Sequence, residues 1–174
     1  NKAVNIDLNN HNIEAENKVF VVQGGSLNLS GKGKIRETKP YYGAITLLGS
    51  ENKEDKDFST VSVGKDVTLE GWSGIFINHL NNTAYGVLVN MDDSINAVND
   101  VDGGVGVGIY VNGNIQHVDN SPIIDLTDTT KIKATGTGIY AAGYATYGIN
   151  GAYIEGVESG LGIKSGHFNI LDAT

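Results

Sequence analysis

Apolar and polar residues alternate along this chain over very short stretches. Val4-Asn5-Ile6-Asp7-Leu8 opens the pattern. Ser26-Leu27-Asn28-Leu29-Ser30, Thr60-Val61-Ser62-Val63, Val67-Thr68-Leu69 and Lys131-Ile132-Lys133-Ala134 repeat it. Period two over three to five residues, stopped by Gly or Asn, predicts short strands, and no stretch carries helical spacing. The run from 49 to 58 (Gly-Ser-Glu-Asn-Lys-Glu-Asp-Lys-Asp-Phe) is charged and lacks a period, which predicts an inserted loop.

One phrase keeps returning: a glycine, a branched apolar residue, any residue, then a small or branched apolar residue. It reads Gly74-Ile75-Phe76-Ile77, Gly86-Val87-Leu88-Val89, Gly108-Ile109-Tyr110-Val111 and Gly138-Ile139-Tyr140-Ala141. Looser copies stand at Gly43-Ala44-Ile45-Thr46-Leu47 and Gly160-Leu161-Gly162-Ile163. A strand this short, turned at glycine, cannot bury its apolar side alone; stacked copies can. With two or three strands in each repeat of about 20–30 residues, the pattern predicts an all-β parallel β-helix, a β-solenoid of about six to eight coils. The expected inward ladders are Ile6 with Leu8, Val19 with Val21, Leu27 with Leu29, Ile45 with Leu47, Ile75 with Ile77, Val87 with Val89, Ile109 with Val111, and Ile139.

Composition narrows the partners. Glycine is 24 of 174 residues, about double the usual share, while proline appears twice. Apolar content is ordinary at 40%, so the chain is turn-rich but folded. The net charge of −8, with Arg36 the sole arginine, leaves no basic stripe for nucleic acid. An anionic membrane surface repels such a chain, and no run of about 18 apolar residues suits membrane insertion. Without cysteine there is neither a disulfide nor a thiolate metal site. The expected organisation is a single module over residues 1–174, excised from a longer protein, because both Asn1 and the apolar strand before Thr174 read as cut ends.

Several runs carry a family resemblance. Val4-Asn5-Ile6-Asp7-Leu8-Asn9-Asn10-His11-Asn12-Ile13, followed by Val19-Phe20-Val21-Val22-Gln23-Gly24-Gly25-Ser26-Leu27-Asn28-Leu29, resembles the opening coils of right-handed parallel β-helix (pectin-lyase-like) domains in large bacterial cell-surface proteins. Gly31-Lys32-Gly33-Lys34-Ile35 resembles their next turn. Gly156-Val157-Glu158-Ser159-Gly160 and Gly162-Ile163-Lys164-Ser165-Gly166-His167-Phe168-Asn169-Ile170 resemble a later one. The resemblance covers most of the chain and implies a right-handed fold. It also implies a secreted or wall-anchored, adhesin-like context at the bacterial cell surface. Related folds include pectate lyases and polygalacturonases, which are enzymes.

Four sets of residues are candidates for chemistry. In the glycine phrase the third position points outward, since alternate residues of a strand face opposite sides. If the phrases stack, Phe76, Leu88, Tyr110 and Tyr140 form an outward apolar column, a candidate for ligand contact or self-association. The alternatives are a loop covering the column, or phrases that sit in different sheets. Aromatic residues at turns form the second set: Tyr41, Tyr42, Trp72, Tyr85, Tyr144, Tyr147 and Tyr153. Aromatic faces can stack on the C–H faces of sugars, or the rings can simply pack against corners. Asp100 and Asp102, beside Asn99, offer oxygens for Ca²⁺, but the stretch lacks the Glu of an EF-hand loop; a solvated turn is the expectation, with no cofactor.

Catalysis is the fourth candidate. Arg36 has no acid cluster near it in sequence, Asp7, Asp125 and Asp128 are scattered, and His11, His79, His117 and His167 follow no metal spacing. The expected function is therefore non-enzymatic: an extracellular module that binds carbohydrate or a host surface, or acts as a stalk. The alternative is a carbohydrate-active β-helix enzyme, a polysaccharide lyase or glycoside hydrolase.

Overall fold

A computed structural model describes residues 2–39, 43–49, 59–79, 87–91, 94–97, 106–119 and 121–174. The charged segment at 50–58, Tyr41, Tyr42, Tyr85, Asp100 and Asp102 lie outside the described residues.

Among those residues the chain forms nineteen strands and no helix. Three parallel sheets share the strands in rotation. The first sheet holds β1 (Ala3–Asp7), β4 (Ser26–Ser30), β7 (Ser59–Val63), β10 (Val87–Met91), β13 (Ile123–Leu126), β16 (Thr146–Asn150) and β19 (His167–Leu171). The second holds β2 (Ile13–Ala15), β5 (Gly33–Glu37), β8 (Val67–Glu70), β11 (Ser94–Ala97), β14 (Lys131–Ala134) and β17 (Tyr153–Gly156). The third holds β3 (Phe20–Gln23), β6 (Ile45–Leu48), β9 (Ser73–His79), β12 (Val107–Gly113), β15 (Thr137–Ala141) and β18 (Ser159–Ile163). Each strand from β1 to β16 pairs with the strand three later, always in parallel, an arrangement compatible with a β-helix.

Register places like on like. Phe20, Ile45, Ile75, Ile109, Ile139 and Leu161 follow one another across the third sheet. The four isoleucines of that ladder are at most 1% exposed. Leu27, Val61, Val89, Ile124 and Tyr147 do the same in the first sheet, and Ile35 and Leu69 in the second. Each fully buried Ile or Leu contributes about 1.5–3 kcal/mol. Together these ladders form the apolar core.

The glycine that opens the phrase has a steric cause. A side chain on Gly108 would run into Ile132 of β14 and the carbonyl of Gly138; one on Gly138 would meet Ile154 of β17 and the carbonyl of Gly160. Both stand where the third sheet meets core residues of the second, and only the missing Cβ lets the chain pass there.

One inward assignment changes. Val21 is 51% exposed, while Val22 is buried and Phe20 packs on the core. Phe20 and Val22 pair with the inward Ile45 and Leu47, so the face follows the register. Val19-Phe20-Val21-Val22 is apolar throughout and carries no alternation from which to choose. Val19 does pack against the core, and of Val87 only the backbone position is described.

The ends of the charged insertion meet at its base. The Ser59 hydroxyl, fully buried, accepts from the Gly24 N–H at 2.8 Å and donates to the Leu48 carbonyl.

The outer face of the second sheet carries charge. Arg36 lies 4.0 Å from Glu14 and 3.7 Å from Glu70, with Lys34 2.6 Å from Glu70 and Lys133 3.5 Å from Glu155. Arg36 thus gains acidic neighbours that the linear sequence keeps far away. These pairs are solvated, each worth about 0–1 kcal/mol.

The parity of the strands is testable with one substitution. Ile109→Asp buries an unpaired carboxylate at several kcal/mol, on the order of the whole stability, and should abolish cooperative thermal melting. Val21→Asp, on the outer face, should change stability by no more than about 0.5 kcal/mol. Similar melting of the two variants would contradict the assigned faces.

Candidate functional site

The third position of the glycine phrase gathers on the outer face of the third sheet. Val21, Thr46, Phe76, Tyr110, Tyr140 and Gly162 stand in register there, one per strand from β3 to β18. Phe76 and Tyr110 stack with ring centroids 5.4 Å apart and planes 20° apart. Tyr110 and Tyr140 follow at 5.3 Å and 44°. Trp72, just before β9, sets its ring 5.4 Å from Tyr110, and its backbone N–H donates to a Glu37 carboxylate oxygen at 3.2 Å. Such aromatic pairs are worth about 0.5–1.5 kcal/mol each beyond their buried area.

The row is graded in exposure. Thr46 is 1% and Phe76 8% exposed although both stand at outward positions, and the Thr46 hydroxyl has no hydrogen-bond partner. Tyr110, Tyr140 and Trp72 are half-buried. The reachable part of the row is thus its Trp72–Tyr110–Tyr140 end.

Gly162 continues the row with no side chain. A Cβ there would lie 2.7 Å from Cδ2 of Tyr140, so the tyrosine ring leans over the glycine. Lys164, just beyond β18, places its ammonium 5.5 Å from the Tyr140 ring centroid, and the neighbouring Tyr140 hydroxyl holds the lysine charged to higher pH. Burial raises the Tyr110 phenol; Tyr140 adds to that shift and Lys164 opposes it.

Other expected members of the column and the turn set fall elsewhere. Leu88 belongs to β10 in the first sheet, in register with Thr60 and Ile123. Its phrase looks like the others in sequence, but a different sheet receives it. Tyr144 sits between β15 and β16, where its ring meets His117 edge-on at 5.1 Å. Tyr153 is on the outer face of the second sheet; its hydroxyl donates to Glu155 at 2.8 Å, which holds that carboxyl below the usual range, aided by Lys133. Tyr147 is no turn residue: it is fully buried and stacks on Phe168 at 4.2 Å and 6°. Its position matches the inward Ile124 of β13, and parity carries the ring into the core.

Sequence reasoning missed Thr46, Gly162 and Lys164. The first two lie in the looser glycine phrases, between their two apolar positions, so the signal was present. Lys164 had none, because its place beside Tyr140 depends on which strand neighbours which. Among the described residues no group of three or more His, Asp or Glu could hold a metal ion.

Comparison with protein-family models, with curated proteins and with solved structures finds no match for this chain.

Tyr147 makes the core sensitive to alkali. Burial pushes its phenol far above the ordinary value of 10.0. Below that pH the phenol is neutral in the folded and the unfolded chain alike. As pH rises past about 10, the unfolded chain loses this proton and the folded chain keeps it, so stability falls. Tyr147→Phe should flatten that decline in urea midpoints between about pH 9 and about pH 11. At neutral pH it should match or exceed the wild type, since the buried hydroxyl lacks a partner and costs about 1–3 kcal/mol. An unchanged alkaline slope would mean that water reaches the phenol.

Proposed function

We propose that the chain winds as a right-handed parallel β-helix and serves as an extracellular module of a bacterial cell surface, adhesin-like, that binds carbohydrate or a host surface component. The winding rests on the constant offset of three between paired parallel strands. The hand rests on the near-universal right-handedness of parallel crossovers. The surface context rests on the resemblance of the opening and closing turns to such domains.

One observation carries the binding reading: Phe76, Tyr110 and Tyr140 stand in register on an outer face, with Trp72 against them. Core packing does not demand aromatic residues at outward positions. Tyrosine and tryptophan offer sugars an apolar surface together with a polar tip. Self-association through the row would use the same surface.

A stalk is the second reading. It is favoured by the rings' contacts, since Phe76 and Tyr110 spend ring faces on each other. In that case the row serves as cross-strand pairing on a sheet that presents another domain.

Glycan binding separates the two. Wild type should bind members of a glycan array, and Trp72→Ala and Tyr140→Ala should each weaken that binding about tenfold or more, with a stability loss of about 0.5–1.5 kcal/mol per ring contact beyond that of the lost buried area. Loss of stability without any glycan binding by the wild type would favour the stalk. Release of reducing or unsaturated ends from polysaccharides would instead indicate an enzyme.

A further inference from the structure

Charge is unevenly shared among the three sheets. The chain holds 20 acidic residues, yet none of the six strands of the third sheet contains an Asp or a Glu. The second sheet carries Glu14, Glu37, Glu70 and Glu155 in its strands, and the first carries Asp7 and Asp125. Strands without a carboxylate of their own repel anions less than the strands of the neighbouring sheets do.

Two tyrosine rings and a lysine meet at one end of that face. The Lys164 ammonium lies against Tyr140 and interacts with the Tyr110 phenol as well. Lys34, Lys39 and Lys133 each lie within 3.5 Å of a glutamate oxygen. The groups that act on Lys164, by contrast, are tyrosines, and it remains exposed. Beside this cluster stands Gly162, which leaves the Tyr140 ring overhung by no side chain from its own position in the row.

We propose that Tyr110, Tyr140 and Lys164 form a subsite for a pyranose bearing an anionic substituent, the ring resting against the tyrosines and the charge meeting the ammonium. The inference rests on the carbohydrate reading above and adds the sign of the ligand. Charge-assisted bonds from lysine to a carboxylate or a sulfate are about twice as strong as neutral ones, so the substituent decides affinity. Exposure of the ammonium makes the preference sensitive to salt, with a screening length of about 10 Å at 0.1 M.

Calorimetric titration of the whole chain tests this with three hexasaccharides of one length: neutral, carboxylated and sulfated. At least one anionic probe should bind about tenfold or more tighter than the neutral one at low salt, and the advantage should shrink as salt rises. The stronger of the two anionic arms identifies the substituent. Lys164→Gln should remove the advantage with melting unchanged, Lys164→Arg should keep it, and Tyr140→Ala should weaken all three probes. Equal binding of the neutral probe would overturn the anionic subsite while leaving the carbohydrate reading intact. An anionic preference that survives Lys164→Gln would also overturn it. Binding of none of the three, with a glycan array equally blank, would overturn both.

Discussion

Parallel pairing of each strand with the one three later is the constraint on which everything else depends. A strand of four or five residues has too few contacts to hold itself, and its backbone donors and acceptors need partners on both edges. Pairing in register meets both needs at once. It also stacks every residue on its counterpart, so one apolar position becomes a ladder and one aromatic residue becomes a row. Ile45, Ile75, Ile109 and Ile139 show the first effect inside the third sheet, and Phe76, Tyr110 and Tyr140 show the second outside it.

The same constraint explains the recurring glycines and the segregation of charge. Gly108 and Gly138 stand where a Cβ would strike isoleucines of the second sheet, so both positions require glycine. On the second sheet the rows bring Glu14, Arg36 and Glu70 together from strands far apart in sequence. Alternating sign along such a row is tolerated and like sign is penalised. The strands of the third sheet carry no Asp, Glu, Lys or Arg, and the ammonium of Lys164 beside them meets tyrosines. Each face therefore has its own chemistry although all three are built from the same kind of strand.

Much of this was legible from the residues. Alternation located most strands, because a half-buried strand must show its two faces in turn. Repetition of the glycine phrase marked Ile75, Ile77, Ile109 and Val111 as interior, and Phe76, Tyr110 and Tyr140 as outward neighbours. Legibility failed where the pattern was degenerate. Val19-Phe20-Val21-Val22 offers two equally apolar frames, and pairing with Ile45 and Leu47 selects one. Tyr147 looks like a surface aromatic until its register with Ile124 turns it inward.

By itself, the sequence determined that short strands must stack and which of their faces is apolar, because period and glycine spacing are local properties. It also determined that the chain is acidic and rich in turns. The tertiary structure alone decided which phrase joins which sheet. Leu88 and Tyr110 belong to copies of one phrase, yet Leu88 goes to the first sheet and Tyr110 to the third. Nothing within four residues can encode that difference, since it depends on how much chain intervenes before the strand meets its partner. The same long-range placement brings Lys164 to Tyr140 and Trp72 to Tyr110, and so makes a half-buried row of rings into a candidate site.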